Sequence, residues 1–191
     1  MKIRDRDEVV ARCEELASEL RAALSRLPGG DEDPAVVEAV WQGEGLGTLL
    51  WALHLAKLPP YDEPFDHERL LEIQLGRARL RGSYEIDRTR ETARLWHWRA
   101  RMTLLENDPA FELPAPWISC QELVASVATR GHAQGLLPEP VGDDFPALGF
   151  VYRWATAAEV AELLLIAYQR HRALTWLCVP DRAWDDPVLD T

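Results

Sequence analysis

Lysine is nearly missing from this chain: Lys2 and Lys57 are the only two, so almost all of its positive charge is arginine. That bias fits either bidentate pairing of guanidinium with carboxylate or the base composition of a genome, and one sequence does not separate the two. Cysteine is also sparse. Cys13, Cys120 and Cys178 are odd in number, far apart and set in helical apolar patterns. They read as reduced core thiols rather than a disulfide framework or a zinc site, and neither metal nor cofactor is expected. The charged start Met-Lys-Ile-Arg-Asp-Arg-Asp-Glu has no apolar segment of the kind a secretory signal needs, so a cytoplasmic location is the expectation. Catalytic signatures are missing too: no Gly-x-Ser-x-Gly, His-Glu-x-x-His, Cys-x-x-Cys or calcium-binding loop occurs.

The 191 residues suffice for one sizeable core, and no shift of composition divides them, so residues 1–191 are expected to form a single helical domain. The formal charge of −11 argues against nucleic acid and anionic membrane as partners. Solubility, or a basic protein partner, suits it better.

Val40 to Leu58 is the most evenly apolar stretch. Leu46, Leu49, Leu50 and Leu53 fall on one side at helical spacing, and Trp41, Thr48, Trp51 and Leu55 on another, leaving no sector for solvent. A bilayer span takes about 20 apolar residues, and Glu44 interrupts this shorter run, so the spacing predicts a buried central helix. Gly43, Gly45 and Gly47 each cost roughly 0.8 to 1 kcal/mol against alanine in such a helix. They do not form a nucleotide fingerprint, because Thr48 stands where the third glycine belongs and no Walker lysine follows. Close packing, or a break near Gly43, is expected instead.

Around this helix the chain punctuates itself. Asp5 with Glu8, Ser119 with Glu122 and Thr156 with Glu159 are capping boxes. Val9, Cys13, Leu16, Leu20, Ala23, Leu24 and Leu27 give the first helix its apolar stripe, up to Pro28-Gly29-Gly30. Asp33-Pro34 opens the central helix, which Lys57-Leu58-Pro59-Pro60 is expected to end. Asp66 caps a third helix reaching toward Gly76, with Phe65 and Leu70 as a hydrophobic staple. Ser83 to Glu106 forms a long helix. Eight arginines from Arg77 to Arg101 make it the one basic region, but Glu85, Asp87 and Glu91 lie among them at pairing distance. Asn107 to Trp117 and Gly131 to Leu148 are proline- and glycine-rich loops, and Phe150 to Trp154 is a short strand or extended segment. The last helix carries Val160, Leu163, Leu164, Ala167, Ala173, Leu174 and Leu177 on its core face. The whole is a mostly α bundle of five or six helices with long proline-rich loops.

Several pieces in order resemble an uncharacterised bacterial family, the domain of unknown function 4272 family. They are Arg4 with Glu8-Val9 and Arg12; Trp41-x-x-Glu44 with Leu49-Leu50-Trp51-Ala52-Leu53; Ile86-Asp87; and His97-Trp98. Toward the end come Arg170-His171-x-Ala173-Leu174 with Trp176, Trp184-Asp185-Asp186, and Asp190-Thr191. Thr175 replaces the asparagine and Gly45 the alanine of that pattern, and residues 107–156 form a longer, loop-rich excursion. The resemblance implies a helical fold and no activity.

Glu44, His97, Arg99, Arg170, His171, Asp185 and Asp186 are polar groups set among apolar residues and tryptophans. As a site they would place a carboxylate beside a histidine for acid–base chemistry; as structure they would be an ion-pair network fixing helix register. Either way Glu44 needs an arginine or histidine partner, because an unpaired buried carboxylate costs several kcal/mol. Two functional readings follow. One is a small binding protein with an acidic surface, in the manner of an immunity or antitoxin protein. The rival is a small-molecule enzyme or ligand-binding domain built on Glu44, His97 and Arg99. The tail is expected to be ordered, with Trp184, Val188 and Leu189 docked and Asp185 or Asp186 meeting an arginine.

Overall fold

The structure, a computed structural model, describes residues 2–26, 33–186 and 189. The expected stop at 27–30, the docking of Val188 and the pair at 190–191 lie outside the described residues. Six α-helices are present among them: α1 (Arg6–Arg26), α2 (Pro34–Ala52), α3 (His67–Leu70), α4 (Ser83–Leu105), α5 (Cys120–Ala133) and α6 (Ala157–Cys178). A two-stranded antiparallel hairpin, β1 (Pro146–Ala147) with β2 (Phe150–Val151), pairs Pro146 with Val151 and Ala147 with Phe150. The mostly α architecture expected from periodicity is the one observed.

The helix starts follow their local chemistry. Asp5 Oδ1 accepts from the N–H groups of Asp7 and Glu8 while Glu8 Oε2 accepts from Asp5 N–H, a complete capping box. Thr156 and Glu159 make another. At α5, Ser119 Oγ accepts from Glu122 N–H, but Glu122 turns back to the N–H of Ile118 rather than Ser119, so only half the box forms.

α1 packs along α2, α2 along α6, and α6 along α4, so α2 shares the interior with α6. Every residue from Gly43 to Ala52 is buried, and so is every residue from Gln169 to Cys178. The glycines explain how α2 gets so close to its neighbours. A Cβ at Gly43 would stand 2.7 Å from the His67 ring, at Gly47 2.5 Å from the Phe65 ring, and at Gly45 3.2 Å from Trp184. The helix is unbroken there, and the missing side chains make room for three aromatic rings on its backbone.

Three boundaries differ from expectation, the smallest being that α5 runs through Gly131 to Ala133 where a loop is expected. α2 ends at Ala52, not at Lys57-Leu58, because His54 takes a left-handed conformation with φ 59°. Leu55 N–H bonds to Leu50 C=O at 2.9 Å and His54 N–H to Trp51 C=O at 3.0 Å, the Schellman closure of a helix. The apolar run therefore stays buried only to Leu53, with His54 exposed. α3 is a single turn, and the chain toward Gly76 continues as turns and a 3-10 segment, Leu75–Arg77. Beyond it, Arg81 donates from Nε to the Trp51 carbonyl at 2.7 Å, with its guanidinium over the Trp51 ring, and so satisfies the end of α2.

Candidate functional site

The seven polar residues singled out by sequence do not meet in one place; they divide among four clusters. In the first, Glu44 from α2 is fully buried and faces Arg170 from α6, with Glu44 Oε2 2.9 Å from Arg170 Nε and 2.8 Å from Nη2. Glu44 Oε1 accepts from Phe65 N–H at 2.7 Å. His67 Nε2 lies 3.4 Å from the same oxygen, an electrostatic contact rather than a hydrogen bond. Arg170 spends its remaining donors on the carbonyls of Pro59, Pro60 and Glu63, and its plane lies 5.1 Å from the Tyr61 ring and 5.0 Å from the Phe65 ring. One guanidinium thus fastens the 59–65 connection to both inner helices. Burial alone would raise the Glu44 pKa, but His67, Arg170 and the Phe65 N–H outweigh it and hold the carboxyl below its usual range.

Arg99 belongs to a second cluster. From α4 it binds Asp144 bidentately, with Nε and Nη2 each 2.7 Å from a carboxylate oxygen, while Nη1 donates to Thr103 Oγ1 at 2.6 Å. Asp144 also accepts from the N–H groups of Phe145 and Arg153, and the Arg99 guanidinium lies 4.5 Å from the Tyr152 ring. The pair clamps the hairpin region onto α4 and leaves little unused capacity on either side.

His97 and His171 form the third, where α4 meets α6. Their Nδ1 atoms are 3.2 Å apart, so one donates and the other accepts, and Tyr168 packs edge-on against His97. Burial, reinforced by the nearby Arg101 cation, pushes the His97 pKa down to about 4, which keeps the ring neutral at physiological pH. Arg170 and His171, adjacent on α6, therefore serve opposite neighbours: α2 and α4.

In the fourth, Trp184 docks as expected. Trp184 is 5% exposed and stands edge-on to Trp176, with the guanidinium of Arg12 4.5 Å and that of Arg172 5.0 Å from its ring. Arg172 reaches Asp185 at 3.2 Å and Glu38 at 3.4 Å. Among the described residues, Asp186 pairs with Arg182, at 3.7 Å. Nearby, the largely buried Arg4 lies over the Trp176 ring, donating from Nε to the Trp176 carbonyl at 2.9 Å and from Nη2 to that of Arg182.

Sequence reasoning missed Asp144, His67 and Arg172. Arg172, an arginine on the inner face of an apolar helix, carried the same signal that singled out Arg170. Asp144 lies in a loop, where no periodicity marks a buried position.

A cavity of about 200 Å³ reaches Arg99 and Asp144, together with Glu106, Cys120 and Arg153. Glu44, His97, Arg170 and His171 do not line it. Two thiols are deep in the core, and burial raises Cys13 to about 12 and Cys178 to about 11, far from thiolate at neutral pH. Cys120 differs from expectation: as the first residue of α5 it is partly exposed rather than core. Among the described residues no group of three His, Cys, Asp or Glu converges as metal ligands, and no helix is long and apolar enough to cross a membrane. No family model, no curated protein and no solved structure matches this chain.

Proposed function

We propose that the protein is a non-catalytic interaction protein whose acidic exterior recognises a basic protein partner, as an immunity or antitoxin protein does. One observation carries the reading. Among the described residues the buried charges are Arg4, Arg99, Arg170 and Arg172 against only Glu44 and Asp144, so the exterior is more negative than the chain's total of −11. A surface of that sign accelerates encounter with a cationic partner and repels nucleic acid and anionic membrane.

The acid–base alternative built on Glu44, His97 and Arg99 loses support from their geometry: Glu44 and Arg99 are saturated by different partners, and His97 lies against neither. Three free cysteines suit a reducing compartment, so a cytoplasmic location is part of this proposal. So is kinship with the domain of unknown function 4272 family, on the ordered motifs given above.

The test is to isolate what co-purifies with the native protein and titrate its affinity against salt. A basic partner whose binding weakens steeply as salt rises, and weakens again when the exposed Glu14, Glu19 and Asp186 are changed to lysine, supports the reading. Affinity unaffected by salt and by these reversals overturns it.

A further inference from the structure

A groove of about 530 Å³ lies between α4 and α5, within the range of small-molecule sites. It exists because α5 packs only lightly on α4. The two are joined near the carboxyl-terminal end of α5, where Gly131 leaves room for Leu137 and Leu95, and Arg88 donates to the carbonyls of Gln134 and Gly135. Beside this anchored end, Trp98, Leu123, Val127 and Leu136 line the groove as partly exposed apolar side chains.

The rim is cationic in a chain that is otherwise acidic. Arg94 and Arg130 line it against a single carboxylate, Glu91, which Arg90 and Arg94 share at 3.2 and 3.0 Å. Arg130 is exposed and, among the described residues, pairs with no carboxylate. An apolar trough with guanidiniums at its edge complements a molecule that is apolar along its length and negative at one end. It does not complement a polyanion, which a chain of net charge −11 would repel.

The geometry points to a binding site for an amphipathic small-molecule carboxylate, its chain along Trp98, Leu123 and Val127 and its head group at Arg130 and Arg94. This site shares no residue with the four polar clusters and goes beyond the proposed recognition of a protein partner.

Decanoate, decan-1-ol and decylamine, titrated by calorimetry and tryptophan fluorescence, form the test. Decanoate should bind one to one, with the fluorescence response lost in Trp98→Phe, and the alcohol and amine should bind at least about fivefold more weakly. Arg130→Gln, at an exposed position, should keep the melting temperature and weaken decanoate about fivefold. Val127→Trp should fill the groove and abolish binding. Absence of decanoate binding, equal binding of decan-1-ol, or undiminished binding by Arg130→Gln would each overturn the assignment. A Val127→Trp protein that folds and still binds would do the same.

Discussion

Arg170 and Glu44 face each other across the interface of α6 and α2 with both side chains wholly buried, and the guanidinium gives its other donors to three carbonyls of the 59–63 connection. The pair therefore sets the register of two inner helices and the path of the chain leaving one of them. Removing one partner leaves an uncompensated charge in an apolar interior. Glu44→Ala is expected to cost about 3 to 5 kcal/mol in chemical denaturation. A loss below roughly 1 kcal/mol would mean that the side chain is solvated in solution.

Acid should weaken the fold through His97 before it reaches the carboxylates. Below the ordinary value of 6.5 the unfolded chain gains a proton that folded His97 refuses until about pH 4. Stability should therefore fall as pH drops through this window, by on the order of 3 kcal/mol if the shift is fully expressed. Glu44 adds a loss of the same sign below 4.5, since its folded pKa is the depressed one. Urea midpoints at pH 7.5 and 5 measure the first effect, and His97→Gln should flatten the difference. Equal midpoints in the parent protein would sink it.

Gly47 in α2 and Gly76 in the 3-10 segment give a paired test of close packing. Gly47→Ala brings a Cβ to 2.5 Å from the buried Phe65 ring, so a loss of about 1 to 3 kcal/mol is expected. Gly76→Ala meets nothing within 4 Å and should be neutral or slightly stabilising. Since propensity alone favours alanine inside a helix, a Gly47→Ala protein as stable as the parent would show that the Phe65 ring gives way at little cost.

What was legible in the sequence is what local physics enforces. Asp5, Asp33 and Thr156 cap helices because the donors they satisfy are two or three residues away. Glu44 was sure to find a cation because its surroundings offer no water. The end of α2 was hidden, since the left-handed turn falls on His54 rather than on the glycine that usually marks a helix end, while Pro59-Pro60 offered a louder stop five residues later. The Arg99 partner was hidden as well. Asp144 is brought to α4 by the hairpin region, a tertiary placement that neither spacing nor composition encodes.

The last expectation concerns Trp184, near the end of a chain where disorder is the usual assumption. Its ring is buried against Trp176 and the open face of Gly45, between the guanidiniums of Arg12 and Arg172. Apolar burial and cation–π attraction thus act on the same group, and the neighbouring Asp185 adds only an exposed ion pair with Arg172. Trp184→Ala should cost about 3 kcal/mol. In a domain of this size that corresponds to a fall of about 6 to 12 °C in melting temperature. Asp185→Asn should change stability by less than about 1 kcal/mol, because its carboxylate remains largely in water. Calorimetry of both variants separates docking by the ring from docking by charge. If Asp185→Asn lost as much as Trp184→Ala, the segment would be held by its aspartates, and the indole would be a passenger.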